Sequence, residues 1–323
     1  MSMTSTSSSP RALWSRAWAI SPALTLGTVV MLLGALFTLA GLVFDPRRLL
    51  GEPLWLKPAK FYVSLAIYDA TLLYFLSVIP GRQRFVRAVG AILSVCGALE
   101  MVAITLQAAR GVRSHFNVAT TFDNVIFAGM GITITVLWLA MMVLAVVMLR
   151  TKLGERTLAS ALRMGLVVGI LGAGLAYFMT SPRPEQLASL KAGEVPVEVG
   201  SHTFGGKDGG PGLSLVGWST TAGDMRPAHF FGLHGMQVLP FVAVVLARRR
   251  SLSESLRLAL VRAAGVAYFG LTVVLALQAL RGLPIVRWDA AGVASLVLVA
   301  VASLATFAVS FGRKKQALTV VAA

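Results

Sequence analysis

A single cysteine, Cys96, rules out an intramolecular disulfide and leaves no CxxC pair for metal or redox chemistry. It falls inside an apolar run, where a thiol serves as a packing group. Charge is scarce as well: 13% of the 323 residues are charged, and only 13 are acidic against 29 basic. So little charge cannot solvate the surface of a water-soluble chain this long. Four histidines leave few ligands for a metal or a haem. HExxH, GxSxG and a P-loop are all missing, so no established catalytic motif names a reaction. The net charge of +16 would suit nucleic acid, yet Lys and Arg occupy short joints between apolar runs rather than one soluble face. Membrane topology explains them better than a nucleic-acid partner.

What is present is hydrocarbon: 56% hydrophobic residues and a mean hydropathy of +0.78. Apolar windows bounded by charged or Pro/Gly-rich joints predict eight spans, at about 21–44, 61–80, 88–107, 125–149, 164–180, 229–247, 263–281 and 290–311. Each must be helical, because lipid offers no partner to an open strand edge. The fold class is therefore all-α, a polytopic transmembrane helix bundle with the lipid bilayer as its first partner. A polar, Ser/Thr-rich tail covers 1–20, the bundle runs over 21–311, and a basic tail follows at 312–323. The first span is too long for a cleaved signal h-region, so it is read as a retained helix.

If the N-terminus is assigned to one side, seventeen Lys and Arg fall there and twelve opposite, four of them in the long loop 181–228. This bias places both termini in the cytoplasm. Nine of the thirteen acidic residues lie on the outer side. The long loop is rich in Gly, Pro and Ser but carries Trp218, Leu213, Leu215 and Val216, and is expected to form a partly ordered outer cap. In span five, Gly165 and Gly169 stand four apart, spacing that lets a neighbouring backbone approach closely within the bundle.

The polar residues of the spans gather toward the outer side. Counted from the outer ends at 1.5 Å per residue, Asp69, Glu100 and Gln237 should share a layer roughly 10–12 Å deep. His234 lies slightly shallower, and Gln107, Arg110 and His229 mark the rim, while His115 belongs to the loop after span three. Ionisable groups inside a span are costly and should face the bundle interior. Asp69 and Glu100 are expected to share a proton or a nearby cation such as Arg110, Lys60 or a metal. The segment "GDMRPAHFFGLHGMQ" adds Asp224 and Arg226, which either bind a ligand or cap span six. His229 and His234, five apart, point about 140° from each other on a straight helix. Lys57, Lys60 and Trp55 in "EPLWLKPAKF" anchor an interfacial stretch, with Lys60 also able to face the polar layer. His202, in the loop, is expected to be solvated.

Together "KPAKF", "QAARGVRSHFN", "DGGPGL", "GWST" and "GDMRPAHFFGLHGMQ" resemble a family of bacterial multi-pass membrane proteins that carries a GDxRxxHFxGLHxxQ-type segment and has no assigned activity. The resemblance covers most of the chain beyond the N-terminal tail. It implies a bacterial inner membrane and supplies no catalytic roles.

Four classes of function stay open on these residues. The first is an outward-facing site for a small molecule or a transition metal, built by Asp69, Glu100, Gln107, Arg110, Asp224, Arg226 and Gln237, with His115, His229 and His234 as metal ligands and an enzymatic use conceivable. The second is a proton- or cation-coupled permease using Asp69 and Glu100. The third is a haem or quinone redox protein, disfavoured because only span six offers a membrane-level histidine. The fourth is a sensor or assembly protein working through the outer loop.

Overall fold

The computed structural model describes residues 9–194 and 196–321, with side chains to 312. Its helices are α1 (Pro10–Ile20), α2 (Pro22–Phe44), α3 (Leu56–Ser77), α4 (Gln83–Arg110), α5 (Thr121–Arg150), α6 (Arg156–Gly174), α7 (Ala176–Thr180), α8 (Pro184–Lys191), α9 (Met225–Arg248), α10 (Glu254–Leu280) and α11 (Ala290–Val321). Eight stretches are long and apolar enough to cross a membrane: α2, α3, α4, α5, α6 continued through α7, α9, α10, and the Ala290–Gly312 part of α11. The chain is an all-α, multi-pass membrane protein. In α11 only 6% of the span is buried inside the protein, so nearly its whole apolar surface is left for lipid.

Three segments flanking the spans are helical in part. Within the polar tail at 1–20, Ser9 caps α1, Pro10 occupies its first turn, and Trp14 stacks on Trp18. Residues 1–8 lie outside the described part. The tail at 312–323 continues α11 as helix to Val321, and the Arg313, Lys314 and Lys315 side chains lie outside the described part. The stretch 52–61 is not a separate interfacial segment, because α3 already starts at Leu56. Hydropathy windows lose such polar first turns, which the helix satisfies by snorkelling and capping.

Helix starts follow capping chemistry. Ser21 accepts from the Leu24 amide, with Pro22 behind it. Glu155 accepts from Thr157 and Leu158, and Ser253 from Leu256. At the other end of α4, Gly111 takes φ +77°, the left-handed conformation that closes a helix and turns the chain back.

The chain divides into two compact units, residues 1–115 with 121–140, and residues 116–120 with 141–323. In the first, α2 packs on α3 and α4, and Gly34 and Gly41 receive the rings of Tyr62 and Trp55. Trp55 Nε1 donates to Asp45 Oδ2 at 2.8 Å, and Arg47 grips the same carboxylate. Those two partners hold the Asp45 carboxyl well below the usual range. In the second unit α6 and α9 meet along glycines. A Cβ on Gly172 would stand 2.5 Å from the Gly232 carbonyl carbon, and one on Gly165 2.8 Å from the Gly235 oxygen. The spacing seen in the sequence thus serves contact within the chain.

The loop between α7 and α9 is ordered rather than slack. It carries α8, a strand pair Thr203–Phe204 with Gly223–Asp224, and a bridge from Glu198 to Asn117. Gly212 and Ser219 form a further bridge, closing a tip on which Leu215 stands 82% exposed.

Candidate functional site

In the first unit the chain past Gly111 folds back and carries His115 to Glu100. Lys57, in the first turn of α3, donates to His115 Nδ1 at 3.1 Å, and the Ser114 hydroxyl lies 3.0 Å from the same nitrogen. An ammonium has no acceptor, so the ring proton belongs on Nε2, which faces Glu100 Oε1 at 3.6 Å. The Thr133 hydroxyl of α5 completes the surroundings of Glu100, and the Phe61 ring lies beside the imidazole. Glu100 is 4% exposed, yet its Oε2 has no hydrogen-bond partner. Sequence reading assigned the lysine role to Lys60, which instead lies 3.8 Å from Glu52. It missed Lys57, Ser114 and Thr133; the available signal was that "KPAKF" opens a helix, which aims its lysines at the neighbouring helix ends.

Asp69 occupies a different place. It lies roughly thirteen residues, about 20 Å of helical rise, beyond the start of α3, nearer the other end of that helix. Glu100 lies roughly ten residues, about 15 Å, from the end of α4. Asp69 is 2% exposed, sits against Gly27 of α2 and Ser94 of α4, and its Oδ2 has no hydrogen-bond partner. The two carboxyls therefore have separate neighbours, and the expected shared proton has no geometry behind it. The earlier depth was short because α3 begins before the apolar window does. Ser21, Thr25 and Ser94 are also buried in this unit.

Gln107, fully buried, donates to Asp123 Oδ1 at 2.9 Å. Arg110 donates to Asp123 at 2.5 Å and to the Gln107 side-chain oxygen, while its guanidinium lies over the Phe122 ring. This cluster ties the end of α4 to the start of α5.

In the second unit Asp224 and Arg226 form the start of α9. Asp224 accepts from the amides of Arg226 at 2.9 Å and Ser219 at 2.8 Å. Arg226 grips the same carboxylate in a fork, Nε to Oδ1 at 3.0 Å and Nη2 to Oδ2 at 2.6 Å, and Nη2 also donates to the Gly217 carbonyl at 2.6 Å. Asp224 and Arg226 thereby cap α9 and close the loop, one of the two roles their sequence allows. The helix runs unbroken through Pro227, whose missing N–H costs nothing in a first turn.

The two α9 histidines diverge as their spacing requires. His229 Nδ1 donates to the Gly172 carbonyl at 2.7 Å, where α6 ends. His234 instead meets the Phe230 ring at 4.2 Å and hydrogen-bonds Gln237. His115 belongs to the first unit and the α9 pair to the second. Among the described residues no three His, Cys, Asp or Glu side chains come together as a metal-binding group.

One pairing had no counterpart in the sequence reading. His202 is not simply solvated: its Nδ1 lies 2.7 Å from Asp208 Oδ2 and its ring stacks edge-on to Phe116. Asp208 also accepts from the Ser201 hydroxyl at 2.8 Å and the Thr203 amide at 3.1 Å. Burial opposes the charge on Asp208, but the hydrogen bond and charge of His202 and the Ser201 hydroxyl outweigh it, holding the carboxyl well below its usual range.

Comparison with family models, with curated proteins and with solved structures finds no match to this chain.

Proposed function

We propose that this membrane protein binds a small ligand bearing a positive charge or N–H donors, with Glu100 as the anchor. The observation that carries the reading is the buried Glu100 Oε2 without a donor, beside an Oε1 already faced by His115. Leaving a buried acceptor unpaired costs about 1–3 kcal/mol, which a donor on a ligand would recover. Lys57 and Ser114 fix the imidazole, and the imidazole fixes the near side of the carboxylate, so the site is preorganised for a guest on its far side. Lys57 opens α3, and the positive-charge bias puts that end outside. The ligand then arrives from the outer face of a bacterial inner membrane, with both termini in the cytoplasm.

The test uses ammonium, methylammonium and guanidinium as probes of thermal stability in detergent. Wild-type protein should be stabilised in a saturable way by at least one of them, and Glu100→Gln should lose that response. Absence of a saturable response to all three, or an equal response in Glu100→Gln, overturns the reading.

Asp69 supports a second reading, a proton- or cation-coupled permease. A carboxyl deep in a span, with one oxygen unpartnered, is what a relay requires. In proteoliposomes, proton or sodium uptake abolished by Asp69→Asn supports transport; uptake equal to that of empty liposomes removes it.

A further inference from the structure

We infer that the second unit holds a binding site for one phospholipid with an anionic headgroup, in the groove between α6 and α10 at the end where α5 stops. The groove encloses about 250 Å³. Leu149, Val167, Val168, Gly265 and Phe269 line it, and Arg163 stands among them as its charged member. The missing side chain of Gly265 lets Met164 lie flat: a Cβ there would stand 2.7 Å from the Met164 sulfur. Val167 and Phe269 are each 42% exposed, so the groove opens to the lipid side.

Charge identifies the occupant. Arg163 donates Nε to the Met148 carbonyl at 3.1 Å and Nη2 to the Thr151 carbonyl at 2.7 Å, closing the end of α5. Its Nη1 makes neither bond, and among the described residues no carboxylate lies within ion-pair distance of the guanidinium. A full positive charge is thus held at an apolar groove with donors to spare, and a phosphodiester on an acyl chain meets both requirements at once. Arg150 and Lys152 in the adjoining joint share its sign, so an anion is drawn to this end of the groove. The bland role of Arg163, capping α5, uses two of its five N–H groups and is compatible with the lipid.

The experiment rebinds lipid to delipidated full-length protein in micelles doped with phosphatidylglycerol or phosphatidylcholine, and counts lipid retained per chain. Wild-type protein should retain phosphatidylglycerol over phosphatidylcholine by about fivefold, the attraction that one basic side chain has for an anionic headgroup. Arg163→Gln should erase the preference. Val167→Trp, filling the groove from its lipid-facing rim, should lower retained phosphatidylglycerol by the same factor. Arg156→Gln, an exposed charge of the same joint that does not line the groove, should leave the preference in place. Equal retention of the two lipids by wild type overturns the site. So does unchanged phosphatidylglycerol retention in Val167→Trp, or loss of the preference in Arg156→Gln. If Arg163→Gln fails to fold through its capping role, the Val167→Trp result decides.

Discussion

Replacing Asp224 by Asn should release the loop between α7 and α9 from the start of α9. Asn caps helices as well as Asp does, so the capping contribution is nearly unchanged. What disappears is the fork to Arg226, whose Nε and Nη2 lie 3.0 and 2.6 Å from a carboxylate that has no exposed surface. One carboxylate oxygen also becomes an amide, a donor turned toward the donors of Ser219 or Arg226. Removing one partner of a fully buried ion pair costs about 3–5 kcal/mol, and Arg226, 28% exposed, can recover part of that from water. The net cost is about 2–3 kcal/mol, confined to the opening of the loop and strand pair. Hydrogen exchange in nanodiscs reads it directly: amides of Thr203, Phe204 and Ser219 should exchange about 30- to 150-fold faster in the variant. Arg226→Gln should do nearly the same, and the double variant should cost less than the two singles summed, by at least about 1 kcal/mol. Exchange within threefold of wild type in both single variants would refute the assignment of this pair as the clamp.

Gly172→Ala must push α6 from α9 and should cost about 1–3 kcal/mol or more, lowering the unfolding midpoint in detergent, whereas Gly129→Ala, with open space around its position, should lower nothing. An unchanged midpoint for Gly172→Ala would mean the two backbones are not in contact. Arg110→Ala removes the ion-pair partner 2.5 Å from the buried Asp123 carboxylate and should cost about 2 kcal/mol, since Arg110 is itself one-third exposed; a midpoint equal to wild type would refute the ion pair. Because the folded Asp208 carboxyl sits below its unfolded value, its stabilisation is complete at neutral pH and begins to fall as pH drops past about 3.9. Exchange of the Thr203 amide, corrected for intrinsic rates, should accelerate on that acid side in wild type and stay flat in Asp208→Asn; parallel curves would refute the linkage.

The eight spans were legible because lipid imposes one strong demand, some twenty apolar residues for each crossing, and composition meets it openly. The polar first turns of α3 and α9 were not, since Lys57, Lys60, Arg226 and His229 depress hydropathy where capping and snorkelling keep the helix going. That error moved Asp69 to the wrong depth and so joined it to Glu100. The individual polar residues of the N-terminal site were visible as costly groups in apolar runs; their grouping was not. His115 meets Glu100 only because the chain reverses at Gly111, and His202 meets Asp208 through a Gly-rich loop in which periodicity carries no information.

The glycine contact of α6 with α9 also bears on how the molecule is made. These helices are separated by the whole loop between α7 and α9, so during synthesis α6 enters the bilayer well before α9 exists. Until α9 is inserted, the bared glycine strip of α6 has only lipid or other helices against it, and lipid tails fill so narrow a furrow poorly. The nascent chain therefore passes through a stage in which its tightest helix pair is still open, and a stalled ribosome holding α9 inside its exit tunnel would capture the protein there, with nothing yet to fasten the loop.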